Sequence, residues 1–308
     1  MNRRDVIGTS LVGLAAGAAG SGETRAQTAS ISSGASGTSV FAETLAEMTW
    51  YEAEAAAKSG ASVLWAFGVI EEHGPHLPLG TDVYVPAAIL RRVRAKLGEA
   101  GHPAVILPAY YWGINQVTGG FPGSIETRPS TMIALMEDVL TSLKSKGFSR
   151  VFCASGHGDA LHNQTIFDGV VKARASSGVD AVALLNAPLA KRLGLDPASP
   201  ALVAFDLPAP SGPPPKFFDV HAGNPETSAM LHLHPELVRT GVIPSLAPTD
   251  FGPDDLAEWR KGQEAARRKT PQGYLGDPAS GEAARGRASF DGLTEAMTAG
   301  ILRRVAQK

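Results

Sequence analysis

Residues 63–82, VLWAFGVIEEHGPHLPLGTD, decide how the rest of the chain reads. Val63 to Ile70 is a short, unbroken apolar run with β-branched and aromatic members, the pattern of a strand buried on both faces. Charged residues begin where that run stops. Along an extended backbone, side chains two residues apart share a face, so Glu71 and His73 project together while Glu72 points away. Asp82 comes back from the loop to meet them. A carboxylate, an imidazole and a second carboxylate are donors that zinc, manganese and iron(II) accept. Gly74, Pro75, Pro78 and Gly80 make the intervening loop tight, as a preorganised ligand set requires. The competing reading is an ordinary solvated loop at a strand end.

Working outward, the spacing predicts further strands over 104–108, 150–154 and 179–185. Helices are expected over 41–59, 85–97 and 132–146, then one to about 175, and a last one over 288–305. This alternation predicts a three-layer, single-domain α/β fold with a mostly parallel central sheet and ligands gathered at the carboxyl ends of its strands. The loop 110–124, with Tyr111, Trp112, Asn115 and Phe121, is expected to wall a pocket. The segment 197–215, rich in proline, is too long for an ordinary connection and reads as an ordered flap or subunit contact.

Two more clusters carry chemistry. Ser155-Gly156-His157-Gly158-Asp159 follows the 150–154 strand, and glycines on both sides of His157 let the backbone turn sharply there. His157 is the natural further ligand, with Asp159 as another candidate, whereas His162 belongs to the following helix as a structural or exposed residue. Asp219-Val220-His221-Ala222-Gly223-Asn224-Pro225-Glu226-Thr227-Ser228 leads into another helix. Pro225 and Glu226 suit a helix start on structural grounds alone.

The 308 residues carry a net charge of −2 with no basic run, which excludes a polyanion partner such as nucleic acid. A single cysteine, Cys153, leaves no internal disulfide and reads as a buried, inert thiol. Asn2-Arg3-Arg4-Asp5 before an Ala/Gly-rich apolar stretch resembles a twin-arginine export signal, too short for a stable membrane anchor. Residues 1–26 are therefore expected to be a signal peptide read by the twin-arginine machinery, 27–40 a disordered lead-in, and 41–308 the folded domain, placed in the periplasm. That route carries folded proteins, so metal can be loaded before export.

Three clusters in this order resemble the creatininase (creatinine amidohydrolase) family, which includes formamide deformylases and a peptide-trimming peptidase. Residues 71–82 are similar to its E-x-H-G-x-H-L-P-x-x-T-D signature, 119–125 (GGFPGSI) to its FPGT turn, 156–159 to its GHG segment and 219–228 to its HAG-x-x-ETS segment. The resemblance implies two divalent ions, Zn2+ and/or Mn2+ with Fe2+ as a further option, held by Glu71, His73, Asp82 and His157, with Asp82 bridging. It leaves the remaining ligand open between Asp159 and Glu226, and it makes His221 the proton donor to the leaving nitrogen. Relatives are oligomeric, often hexameric, so a homo-oligomer is expected. Ser155 and Ala160 replace asparagines usual in the family, its SxEH element is missing near Asn115 and Gln116, and no tryptophan is matched to those of the creatininase pocket. The expected activity is hydrolysis of a C–N bond in a small cyclic amide, formamide or related compound by a metal-bound hydroxide. The alternatives are a lactone or ester hydrolase or a peptidase on the same site, and a non-catalytic envelope protein that binds metal or ligand.

Overall fold

β1 (Ser62–Phe67) is buried at every residue, as a two-sided apolar strand must be. It lies between β2 (Ala104–Tyr110) and β3 (Arg150–Ser155), with β4 (Asp180–Asn186) and β5 (Leu202–Phe205) beyond. The order is β2-β1-β3-β4-β5 and every pairing is parallel. An open parallel sheet in this order reverses direction between β1 and β3, and the crevice outside the strands' carboxyl ends at that point is where ligands bind. This computed structural model describes Ser39 and residues 41–207 and 216–307, within the compact unit Ala35–Lys308. The expected signal peptide, most of the lead-in and Pro208 to Pro215 lie outside the described residues.

Strand alternation distributes the core into two layers. Val63, Trp65 and Phe67 join Val151 and Cys153 against α3 (Pro129–Ser145) and α4 (Ala160–Ser177), contributed by Met132, Met136, Ile166 and Val170. Leu64, Ala66, Phe152 and Val182 face the other way, against α2 (Thr81–Glu99) and α9 (Ala283–Ala306), contributed by Leu90, Val93, Met297 and Ile301. Helices thus cover both faces of the sheet, the three-layer α/β arrangement the sequence leads one to expect. No described helix is long and apolar enough to cross a membrane.

Several expectations are revised. The single helix over 41–59 is a 3-10 turn (Leu45–Glu47) followed by α1 (Trp50–Lys58). Thr49 and Glu52 form a reciprocal capping box that starts the helix anew, and Tyr51 is 67% exposed. Asp82 lies in the first turn of α2 and not in the loop, because that helix begins four residues earlier than its apolar stripe. The proline-rich segment contains the edge strand β5, whose four residues are too few to show a period. Two short helices in the C-terminal part, α7 (Pro253–Trp259) and α8 (Gln263–Lys269), join α5 (Ala187–Arg192) and α6 (Asn224–Leu233) around the site.

Candidate metal centre

The ligand candidates converge at the carboxyl ends of β1 and β3, where two glycines let α2 approach. A Cβ on Gly68 would collide with the Asp82 carbonyl, and one on Gly156 would lie 2.6 Å from the Pro86 ring and 3.0 Å from that same carbonyl. Glycine at both points lets the first turn of α2 sit against the strand ends and carry Asp82 into the crevice. A carboxylate is also favoured there by the helix dipole.

The two oxygens of Asp82 face different partners. Oδ2 lies 2.8 Å from His157 Nδ1, which is also 3.0 Å from Glu71 Oε2, whereas Oδ1 lies 3.5 Å from His73 Nε2, itself 3.7 Å from Glu226 Oε2. The groups Glu71–Asp82–His157 and His73–Asp82–Glu226 each present three donor atoms within 4.8 Å of one another, and Asp82 belongs to both. Among the described residues Glu71 Oε2, Asp82 Oδ2 and His73 Nε2 are buried without a well-aligned hydrogen bond, the first two only standing close to His157 Nδ1. Buried lone pairs are costly to leave unmatched, so atoms gathered in this way suit divalent cations.

Surrounding groups fix these donors. His73 Nδ1 lies 3.0 Å from the Glu71 carbonyl, which can only accept, so Nδ1 carries the proton and Nε2 is free toward the cluster. The Thr118 hydroxyl donates to Glu71 Oε1 at 2.5 Å. Ser155 Oγ accepts from the His157 amide at 3.0 Å, and Asn163 Nδ2 donates to the His157 carbonyl at 2.7 Å, pinning the turn. Glu226 Oε2 accepts from the Ala222 amide at 2.5 Å, and Ala222 holds φ at +49°, a left-handed conformation rare for a residue with a side chain.

His221 is anchored from two sides. Its backbone pairs with Leu275, and its Nε2 donates to the Glu72 carbonyl at 2.8 Å, with Glu72 Oε1 at 3.2 Å. Nδ1 is thereby left facing Glu71 Oε1 at 4.0 Å. Glu72, set apart from the ligands in the sequence reading, is buried and lies against His221.

Burial disfavours charge on these groups, and their mutual attraction outweighs it. The Asp82 carboxylate pushes His73 up to about 9 against its burial, and Glu71 and Glu72 push His221 up to about 10 against its own. Despite burial, His157 holds Glu71 below the usual carboxylate range, and His73 with His157 does the same for Asp82. Cys153 is buried and has its thiol pushed up, as an inert core residue should.

Asp159 is placed differently from the other acidic candidates. It is the N-cap of α4, its two oxygens accepting from the His162 amide at 2.9 Å and the Gln116 amide at 3.2 Å. It is not one of the residues in the three-donor groups. His162 is fully buried, its Nδ1 accepting from the Ile114 amide at 3.1 Å, and its ring stands 5.2 Å from that of His157.

The centre opens into a cavity of about 740 Å³. From the loop 110–124 it takes Gln116 and Val117, while Tyr111, Trp112 and Phe121 lie outside its lining. Sequence reasoning missed Thr118, Arg192, Arg260 and Trp259, which lines the cavity with its ring 5.8 Å from His221. Only the position of Thr118, in a loop directly after a strand, offered a local signal.

Residues 46–301 match the creatinine amidohydrolase family profile. The chain belongs to the creatininase family. A mycofactocin precursor peptide peptidase of Mycolicibacterium smegmatis is 33% identical over 231 residues, 74% of this chain and 79% of that protein. A creatinine amidohydrolase of Pseudomonas putida is 27% identical over 228 residues, 68% of this chain and 79% of its own length. A solved manganese creatininase shares the fold with a TM-score of 0.63 at 22% identity, covering 84% of this chain and 97% of that one. A mutant creatininase of zinc–zinc type gives a TM-score of 0.62 at 22% identity, covering 83% and 96%. This chain is a creatininase-family amidohydrolase with residues placed so that they could bind metal.

Proposed function

We propose that the protein uses two divalent ions to hydrolyse the C–N bond of a small amide, such as a cyclic amide or a formamide. The observation that carries this reading is the division of Asp82 between two donor groups. Glu71, Asp82 and His157 would hold one ion and His73, Asp82 and Glu226 the other, zinc and manganese being suited to this nitrogen and oxygen set. Glu226 is preferred to Asp159 in this reading, because it stands with His73 and Asp82 in one donor group, whereas the Asp159 oxygens accept from the His162 and Gln116 amides. Bound there, such ions supply a water acidified from a pKa near 15.7 to about 7 and an electrophile for the carbonyl oxygen.

The chain's own groups do the rest. His221, with its Nε2–H held by the Glu72 carbonyl, turns Nδ1 toward the cluster, where Glu71 and Glu72 favour a proton on it. That proton is available to the nitrogen as the C–N bond breaks. Thr118 and the Glu71 carbonyl keep Glu71 and His73 in place, and Trp259 shields the His221 side from water.

A second reading, hydrolysis of a peptide amide, is favoured by the size of the cavity, about 740 Å³, and by the 33% identity to a mycofactocin precursor peptide peptidase. The same chemistry would open a lactone or ester. A binding protein without turnover has no need for a histidine held as His221 is. Export by the twin-arginine route, a periplasmic location and a homo-oligomer are part of the proposal, supported by residues 2–20 and by the family resemblance.

Elemental mass spectrometry of the purified protein beside Asp82→Ala is the direct test. About two ions per chain in the wild type and fewer than one in the variant are expected. One ion or none in the wild type after zinc or manganese supplementation would end the dinuclear reading.

A further inference from the structure

The cavity that opens from the metal centre carries cationic groups with no role in holding metal. Arg192, the last residue of α5, lines it and donates Nη2 to the Gly158 carbonyl at 3.0 Å, beside the turn that bears His157. Arg260, which caps the end of α7, lines it next to Trp259. Among the described residues neither guanidinium has a carboxylate within ion-pair distance, whereas Lys261, also in the lining, is paired with Glu258. Apart from the proposed ligands Glu71 and Glu226, the only carboxylate in the lining is Asp159, and both of its oxygens already accept backbone hydrogen bonds. Leu189, Leu193 and Val220 add apolar lining to the same cavity.

We propose that Arg192 and Arg260 form an anion subsite, and that the preferred substrates are amides bearing a carboxylate, N-acyl amino acids in particular. This rests on the hydrolase reading above and narrows its substrate class. A guanidinium is planar and always charged, offers a fork of N–H donors that matches a carboxylate, and is lightly hydrated, so it favours such a group at the edge of an apolar cavity. Apolar walls beside the charges suit the side chain of a hydrophobic amino acid. In the reaction, the oxygen of water bonds to the carbonyl carbon and the C–N bond breaks. The nitrogen takes a proton, so that N-formyl-leucine and water yield formate and leucine.

The test compares N-formyl-leucine with N-formyl-leucinamide on the metal-loaded full chain, in the wild type, Arg192→Met, Arg260→Met and the double variant. The wild type is expected to prefer the carboxylate at least about tenfold in kcat/KM, each single variant to lose part of that preference, and the double variant to show none. Hydrolysis of the leucinamide by each variant is the reference against which its loss on the carboxylate substrate is read, so that a general effect on the site lowers both substrates alike. Calorimetric binding of N-acetyl-leucine and N-acetyl-leucinamide reads the subsite without turnover. Arginine-dependent binding with no hydrolysis of any amide would uphold the subsite and sink the hydrolase reading. Equal treatment of acid and amide by the wild type, or a preference that survives in the double variant, would overturn the proposal.

Discussion

At the amino edge of the sheet Asp180, the first residue of β4, meets Arg150, Arg174 and Arg304; at the carboxyl edge the cationic partners of Glu71, Glu72, Asp82 and Glu226 among the described residues are the histidines His73, His157 and His221. Both clusters concentrate charge where strands end, and both are partly or fully withdrawn from water. They differ in how they are satisfied. Asp180 accepts from guanidiniums at 2.6, 2.7 and 2.9 Å, a one-to-three match that needs nothing from outside the chain. Among the described residues the carboxyl-edge cluster leaves buried acceptor atoms without well-aligned hydrogen bonds, and its histidines supply compensating charge only while they hold protons. A self-sufficient cluster is a structural clasp, and one short of cations is a site.

The largest effect that would sharpen this contrast is expected at His221. His221→Ala should retain its metal while losing about 10²- to 10⁴-fold in kcat, the usual contribution of a proton-transfer group. Metal content and turnover measured on the same preparation decide it. Loss of metal together with activity would make His221 a ligand, a role its place in the group Glu71–His73–His221 would allow.

A smaller effect separates the two acidic candidates. Glu226→Gln is expected to weaken one of two ions, lowering the metal content toward about one per chain, since Glu226 faces His73 and Asp82. Asp159→Asn should leave the metal content unchanged and cost about 1 kcal/mol or less of stability, because asparagine caps a helix nearly as well as aspartate. Elemental analysis of both variants reads the difference directly. The reverse pattern would place the second ion near the α4 cap.

Much of the site is legible in the sequence because its donors lie in short contiguous motifs set off by glycine and proline. The strand before Glu71, the turn around His157 and the helix start at Glu226 are each fixed by local chemistry within about ten residues. Asp82 illustrates the limit. Its motif names it, yet its place in the first turn of α2 depends on Gly68 and Gly156 making room across two strands. The cavity wall was harder to read for the same reason. Arg192, Trp259 and Arg260 come from helices of six and seven residues, too short to display a hydrophobic period. What brings them to the site is long-range packing, and nothing in their neighbours' identities records it. β5 was hidden in a proline-rich segment because an edge strand of four residues has almost no pattern to show.

Raising the pH should separate the two edges, because only the carboxyl edge holds histidines with raised pKa values, and this gives the gentlest test of the comparison. The three guanidiniums hold Asp180 below the usual aspartate range, more than offsetting its partial burial. A depressed carboxylate stabilises the fold above its unfolded pKa of about 3.9 and loses that contribution as pH falls through its folded value. Asp180→Asn should therefore flatten the acid limb of the stability curve. With the side chain one-quarter exposed, solvent screening keeps the change to about 1 kcal/mol. His73 and His221 carry the opposite sign, being raised to about 9 and about 10. In the chelated protein their stabilisation is complete below about pH 6.5 and is lost as pH rises through those values. Metal should reverse that limb, because it binds the deprotonated ligands and so holds the fold more tightly as pH rises. Thermal melts from pH 4 to 10, with and without chelator, would show an acid limb indifferent to metal in its dependence on Asp180 and an alkaline limb that metal inverts. An alkaline limb unaffected by chelation would mean that the carboxyl-edge cluster is as self-contained as the clasp around Asp180.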